Sequence, residues 1–115
     1  MTAFRLVPLH LHGALELLVG LALMAAPFVL GLSSAAIVVG MATGAILSGL
    51  AVRAAAGEGL DVSAHYACDV ALGWGLPAGA IALAVLGDVP AAVVFAAAGL
   101  LVLALNMTTR YSTRR

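Results

Sequence analysis

Four apolar runs of close to twenty residues each constrain this chain more than any other feature. They extend from about Leu9 to Leu32, Ala35 to Val52, Leu60 to Gly87 and Ala91 to Leu105. At a helical rise of about 1.5 Å per residue, some twenty residues cross the ~30 Å hydrocarbon layer of a bilayer. In lipid every backbone N–H and C=O must find its partner within the protein, and a helix supplies it locally. Barrel strands would alternate in polarity, and these runs do not. Of the 115 residues 64% are hydrophobic and 9% charged, with a mean hydropathy of +1.20. A soluble domain of this length has too little interior to hide that much apolar surface. The expected fold class is therefore all-α integral membrane, a bundle of four transmembrane helices. Arg5 and Ala25-Ala26 could mark a cleaved leader. However, the first run carries His10, His12 and Glu16 and continues through Phe28 to Leu32, too long for a signal core, so it reads as a retained helix.

Charge sets the orientation. Arg5 precedes the first helix, Arg53 follows the second, and Arg110, Arg114 and Arg115 follow the fourth. With four spans all five lie on one side, and the turns at Ser33-Ser34 and Asp88-Val89-Pro90 carry no basic residue. The positive-inside rule then makes both termini and the Arg53–Gly59 loop cytoplasmic. All basic residues are arginine in a background rich in Ala, Val and Gly, which suggests a GC-rich bacterial genome and hence the bacterial inner membrane. The formal net charge of zero argues against a nucleic-acid partner. A single cysteine, Cys68, excludes an internal disulfide.

The chain also repeats itself. His12-Gly-Ala-Leu-Glu16-Leu-Leu-Val-Gly20 aligns with His65-Tyr-Ala-Cys-Asp69-Val-Ala-Leu-Gly73, at an offset of 53. Val29-Leu30-Gly31 and Ala35-Ala36-Ile37-Val38 align with Val85-Leu86-Gly87 and Ala91-Ala92-Val93-Val94, at an offset of 56. The expected organisation is two tandem hairpins, residues 1–56 and 57–115. Each holds two spans, so both enter the membrane with the same polarity, as parallel repeats about an axis along the membrane normal.

Such an axis puts His12–Glu16 and His65–Asp69 at one depth, each pair sharing a helix face at i, i+4 spacing. Asp61 extends the second stripe. Glu16 lies roughly 25 Å of helix from Ser33, and Asp69 roughly 27 Å from Gly87, just inside the cytoplasmic boundary rather than at the midplane. There a carboxylate and its histidine can tie helices together at modest cost. The same four residues are also candidates for a proton or cation site, for a divalent metal, or for a haem held by His12 and His65. Gly40, Gly44 and Ser48 form a small-xxx-small face for helix packing, with Ala92 and Ala96 in a similar role on the fourth helix. Gly73, Gly75 and Pro77 permit a kink or break in the third. No Ser/His/Asp set, phosphate loop or cysteine cluster is present, so an enzyme is not expected, nor is a cofactor required. Four short helices offer little interior to themselves, which suggests a homo-oligomer or a partner membrane subunit.

Leu17-Leu-Val-Gly20-Leu-Ala-Leu-Met-Ala-Ala26-Pro27-Phe28-Val-Leu30-Gly31 resembles the SPW-repeat family of small bacterial membrane proteins. Their hairpin repeat carries a Gly, a Ser-Pro-Trp-like motif and then Leu-Gly. Here the motif reads Ala26-Pro27-Phe28, and the second unit lacks the Pro-aromatic pair. The resemblance implies a two-hairpin membrane protein without an assigned activity. The size, the four spans and Glu16 also look like the small multidrug resistance transporters, which implies proton-coupled export. The duplicated His-x-x-x-acid frame and the scarcity of aromatics depart from that family.

In a Cys68→Ala background, a cysteine at Ser34 is expected to react with an impermeant thiol reagent added outside intact cells. A cysteine at Thr113 should react only after the membrane is opened.

Overall fold

The structure is a computed structural model that describes residues 6–56, 61–109 and 111. Arg5, Arg110, Arg114, Arg115 and loop residues 57–60 lie outside the described residues. Four helices follow in order: α1 (Leu9–Val29), α2 (Ser34–Ala55), α3 (Val62–Val85) and α4 (Val89–Thr108). Each is long and apolar enough to span a membrane. Extensive packing joins α1 to α2 and α3 to α4, while lighter contacts join α2 to α3 and α4 to α1. The chain is thus two helical hairpins set side by side, with α1 facing α3 across the bundle.

Helix ends depart from the sequence reading by a few residues, for local reasons. α1 stops at Val29 and α3 at Val85, because Gly31 and Gly87 take left-handed φ values of 63° and 92°. Leu32 N–H then bonds Pro27 O and Gly31 N–H bonds Phe28 O. Asp88 N–H bonds Leu83 O and Gly87 N–H bonds Ala84 O in the same way. These are two copies of one glycine-terminated helix cap, which satisfies the orphan carbonyls. Ser33 caps α2 and Asp88 caps α4 through their side chains. Pro90 belongs to the first turn of α4 rather than to the connection, since a missing N–H costs nothing there. At the other end α2 runs on to Ala55, taking in Arg53, and α4 runs on to Thr108, taking in Asn106.

Most buried positions recur between the hairpins, while Leu83 and Ala98 are buried in the second alone. The buried residues His12, Glu16, Gly20, Leu23 and Pro27 of α1 match, 53 positions on, His65, Asp69, Gly73, Leu76 and Ala80 of α3. Ala36, Gly40, Gly44, Leu47 and Ala51 of α2 match, 55 positions on, Ala91, Phe95, Gly99, Val102 and Asn106 of α4. The offset of 56 read from sequence therefore holds at the cap glycines and changes to 55 beyond them. The first turn has two residues between Gly31 and α2, and the second has only Asp88 between Gly87 and α4.

The bundle buries polar groups at one end and turns apolar side chains outward along its length. His12, Glu16 and Asp69 are at most 2% exposed, whereas Leu18, Trp74 and Leu100 are each more than 60% exposed. A surface like that is stable in lipid and not in water. Leu23, Leu47, Leu76, Leu83, Phe95 and Val102 join in one buried apolar core.

Within the first hairpin the backbones meet at small residues. A Cβ added to Gly44 would lie 2.5 Å from Gly20 O, and one added to Gly20 would lie 2.5 Å from Ser48 Oγ. Gly40 is held equally close, 2.5 Å from Leu23 O, and the Phe95 ring reaches its open side from α4. In the second hairpin Gly99 receives the ring of Pro77. α3 continues through Gly73, Gly75 and Pro77 without the break that sequence allowed. Gly73 packs on Leu103, while Gly75 meets nothing within 4 Å.

Gly44→Leu is expected to cost about 1–3 kcal/mol or more of stability in detergent, since overpacking meets backbone that cannot yield. Gly49→Leu, at a position with nothing within 4 Å, should leave the thermal midpoint almost unchanged.

Candidate functional site

α1 and α3 each bring a histidine and, one turn later, a carboxylate to the bundle centre at the end where both hairpins open. The four side chains are buried, and one ligand atom from each lies within 4.8 Å of all the others. Within each helix the i, i+4 contacts are 3.3 Å for His12 Nε2–Glu16 Oε2 and 3.4 Å for His65 Nε2–Asp69 Oδ2. The contacts across the bundle are shorter: 2.8 Å for His12 Nε2–Asp69 Oδ2 and 3.2 Å for His65 Nε2–Glu16 Oε1. The unit is thus a closed ring of alternating imidazole and carboxylate groups that joins one hairpin to the other, not two separate pairs.

A second layer holds the ring. His12 Nδ1 hydrogen-bonds Thr109 Oγ1 at 2.8 Å, and that hydroxyl donates its own proton to Leu105 O. Thr109 therefore accepts from Nδ1–H, which holds the His12 ring in place and points Nε2 at the two carboxyl groups. Tyr111 O–H donates to Asp69 Oδ2 at 2.8 Å and lies 3.0 Å from Asn106 Oδ1. Asn106 Nδ2 donates to Asp69 O at 2.8 Å. Asp69 Oδ2 is held by Tyr111 and by His12, whereas Asp69 Oδ1, also buried, has no hydrogen-bond partner among the described residues.

Segments outside the spans close this end. Val7 N–H bonds Thr108 O at 2.9 Å, a single parallel bridge between the approach to α1 and the exit from α4. The Tyr111 ring packs edge-on against His12 at 5.2 Å and Tyr66 at 4.6 Å between centroids. Burial, and next the charge of Asp69, push the Tyr111 phenol well above its usual value near 10, so it serves as a donor.

Not every candidate joins the centre. Asp61 is exposed and caps α3, accepting from Ala64 N–H at 2.8 Å and Ser63 O–H at 2.9 Å. Those bonds, Ala64 first, hold its carboxyl below the ordinary range. It extends the stripe in sequence only, because a helix cap has left the helical path. His10 is exposed on the outer face. At the far end Asp88 accepts from Ser33 N–H at 2.9 Å, a second polar tie between the hairpins, and the Ser33 bonds hold its carboxyl low. Sequence reading ended the fourth span near Leu105 and so missed Asn106, Thr109 and Tyr111. A signal for Asn106 was present: the chain's one asparagine extends the apolar stripe Phe95-Gly99-Val102 by one more turn. Nothing local marks Tyr111.

The two imidazole rings stand 6.0 Å apart between centroids, with Glu16 and Asp69 in contact with both. No family model, curated protein or solved structure matches this chain.

A raised phenol value means that the folded state keeps the Tyr111 proton longer than the unfolded chain does. Its contribution is complete below the ordinary value near 10 and is lost as pH climbs above it. In an alkaline absorbance titration Tyr111 should ionise only as the bundle opens, and Tyr111→Phe should remove that late component.

Proposed function

We propose that this chain is a small, non-enzymatic multi-pass protein of the bacterial inner membrane, built from a duplicated hairpin with both termini cytoplasmic. Its role is structural or accessory within a membrane assembly, and His12, Glu16, His65 and Asp69 act as the latch that holds the two repeats in register. The observation that carries this reading is the cross-bundle pairing: each histidine meets the other hairpin's carboxylate more closely than its own. Each histidine Nε2 meets a carboxyl group of the opposite repeat, the close pairing that a low-dielectric interior requires of polar groups.

Proton-coupled export through Glu16 has less support. Both oxygens of Glu16 contact histidines, and the apolar core that begins at Leu76 and Val102 fills the bundle axis toward the far turns. Glu16 itself is 2% exposed. An accessory role requires a partner surface, and a groove of about 630 Å³ lies on the outer side of α1 and α2, lined by small residues including Gly13, Ala14, Ala51 and Ala55. The matching position to Gly13 in the second hairpin is Tyr66, which Tyr111 covers. A second copy or another membrane subunit would seat in that groove. The likeness of Gly20 to Gly31 to an SPW repeat fits this reading.

A double-mutant cycle measured in EDTA tests the latch. His12→Leu or Asp69→Leu alone should each cost about 3–5 kcal/mol, since each leaves a buried charge unmatched. The double variant should cost clearly less than their sum. Additive costs would end the latch reading. Glu16→Gln should leave drug susceptibility of the host unchanged, and a loss of resistance would restore the transporter.

A further inference from the structure

We propose that His12, Glu16, His65 and Asp69 form a four-ligand site for one divalent transition-metal ion of the zinc class. The inference goes beyond the latch reading, which needs the four side chains alone.

Three observations carry it. The first is spacing. A zinc ion with ligands at about 2.0–2.1 Å in a tetrahedron keeps them roughly 3.3 Å apart. The four contacts between imidazole nitrogens and carboxylate oxygens here measure 2.8, 3.2, 3.3 and 3.4 Å. The contacts run to both oxygens of Glu16; taking one ligand atom from each residue, the four lie within 4.8 Å of one another, close enough for an ion to draw them in to that spacing.

The second is the outer layer. Metal-bound histidines hand their other ring N–H to a fixed acceptor, which sets the tautomer and aims the lone pair. His12 Nδ1 has that acceptor in Thr109 Oγ1, itself locked by donation to Leu105 O. Tyr111 and Asn106 fix Asp69 in the same manner, one through the carboxylate and one through the backbone.

The third is the orphaned oxygen. Asp69 Oδ1 is buried and has no hydrogen-bond partner among the described residues, a costly state for a carboxylate that otherwise spends its other oxygen on donors. Rotation about the carboxylate presents it to an ion at the centre. Two neutral imidazoles and two carboxylates carry two negative charges, which one divalent ion cancels. Nitrogen and oxygen donors without thiolate suit zinc, cobalt or manganese rather than copper(I).

The test uses the full-length, tag-free protein in detergent, dialysed against EDTA and then titrated with Co²⁺. The expected result is one Co²⁺ per chain with the strong visible absorption of four-coordinate cobalt, bleached by Zn²⁺. His65→Gln and Asp69→Asn should abolish the absorption, Tyr66→Phe should keep it, and Thr109→Val should weaken affinity about 10- to 100-fold. Zn²⁺ should also raise the thermal midpoint of the unaltered protein, a readout that depends on no variant folding. Absence of stoichiometric binding, a pale six-coordinate spectrum, or equal uptake by Asp69→Asn would overturn the metal site. The latch is decided separately, because its cycle is run in EDTA.

Discussion

Charge buried in a low-dielectric interior must be matched at close range, and the architecture of this protein is arranged around that requirement. Glu16 and Asp69 lie on helices that face each other across the bundle, so neither can be satisfied by its own hairpin alone. Each takes the other hairpin's histidine at 2.8–3.2 Å. Packing within a hairpin is extensive and between hairpins it is lighter. The polar ring therefore contributes what apolar packing cannot. Lipid tails solvate leucine as well as another helix does, whereas nothing in lipid solvates a carboxylate. The Ser33–Asp88 bond at the opposite end serves the same purpose on a smaller scale.

Much of this was readable from the residues. The number of spans follows from the length of apolar runs. The polar centre follows from two His-x-x-x-acid frames whose offset put them at one depth, and the helix contacts follow from Gly40, Gly44 and Ser48. What sequence left open was pairing. Spacing at i, i+4 suggests that His12 belongs with Glu16, and only the three-dimensional arrangement shows that Asp69 is nearer. Helix ends were blurred because hydropathy does not distinguish a helical leucine from one that follows a cap. The left-handed φ of Gly31 and Gly87 decides there. Asp61 misled for a related reason, since a cap residue keeps the periodicity of its helix in sequence and abandons it in space. Tyr111 was invisible because its role depends on where α4 ends and how the chain turns back.

The two halves are alike at the ring and unlike around it. Phe95 stands where the first hairpin has Gly40, and its ring fills the space that glycine leaves open across the bundle. Thr109 serves His12, and Tyr111 covers His12 and Asp69. At the position of Tyr66, against which that ring packs, the first hairpin has only Gly13, beside an open groove. A symmetrical pair of hairpins would carry the same side chain at both positions; here an aromatic pair stands on one side and a bare glycine on the other.

The bond between Thr109 and His12, which joins residues 97 apart in the chain, has a consequence for biogenesis. The first hairpin leaves the ribosome carrying His12 and Glu16 before Asp69 and Thr109 can stand beside them. For that interval its acidic group has to stay near the headgroups or in the insertion machinery. Glu16 lies only about two turns from the start of α1, a place that suits such a wait, and the arrival of the second half draws the molecule shut.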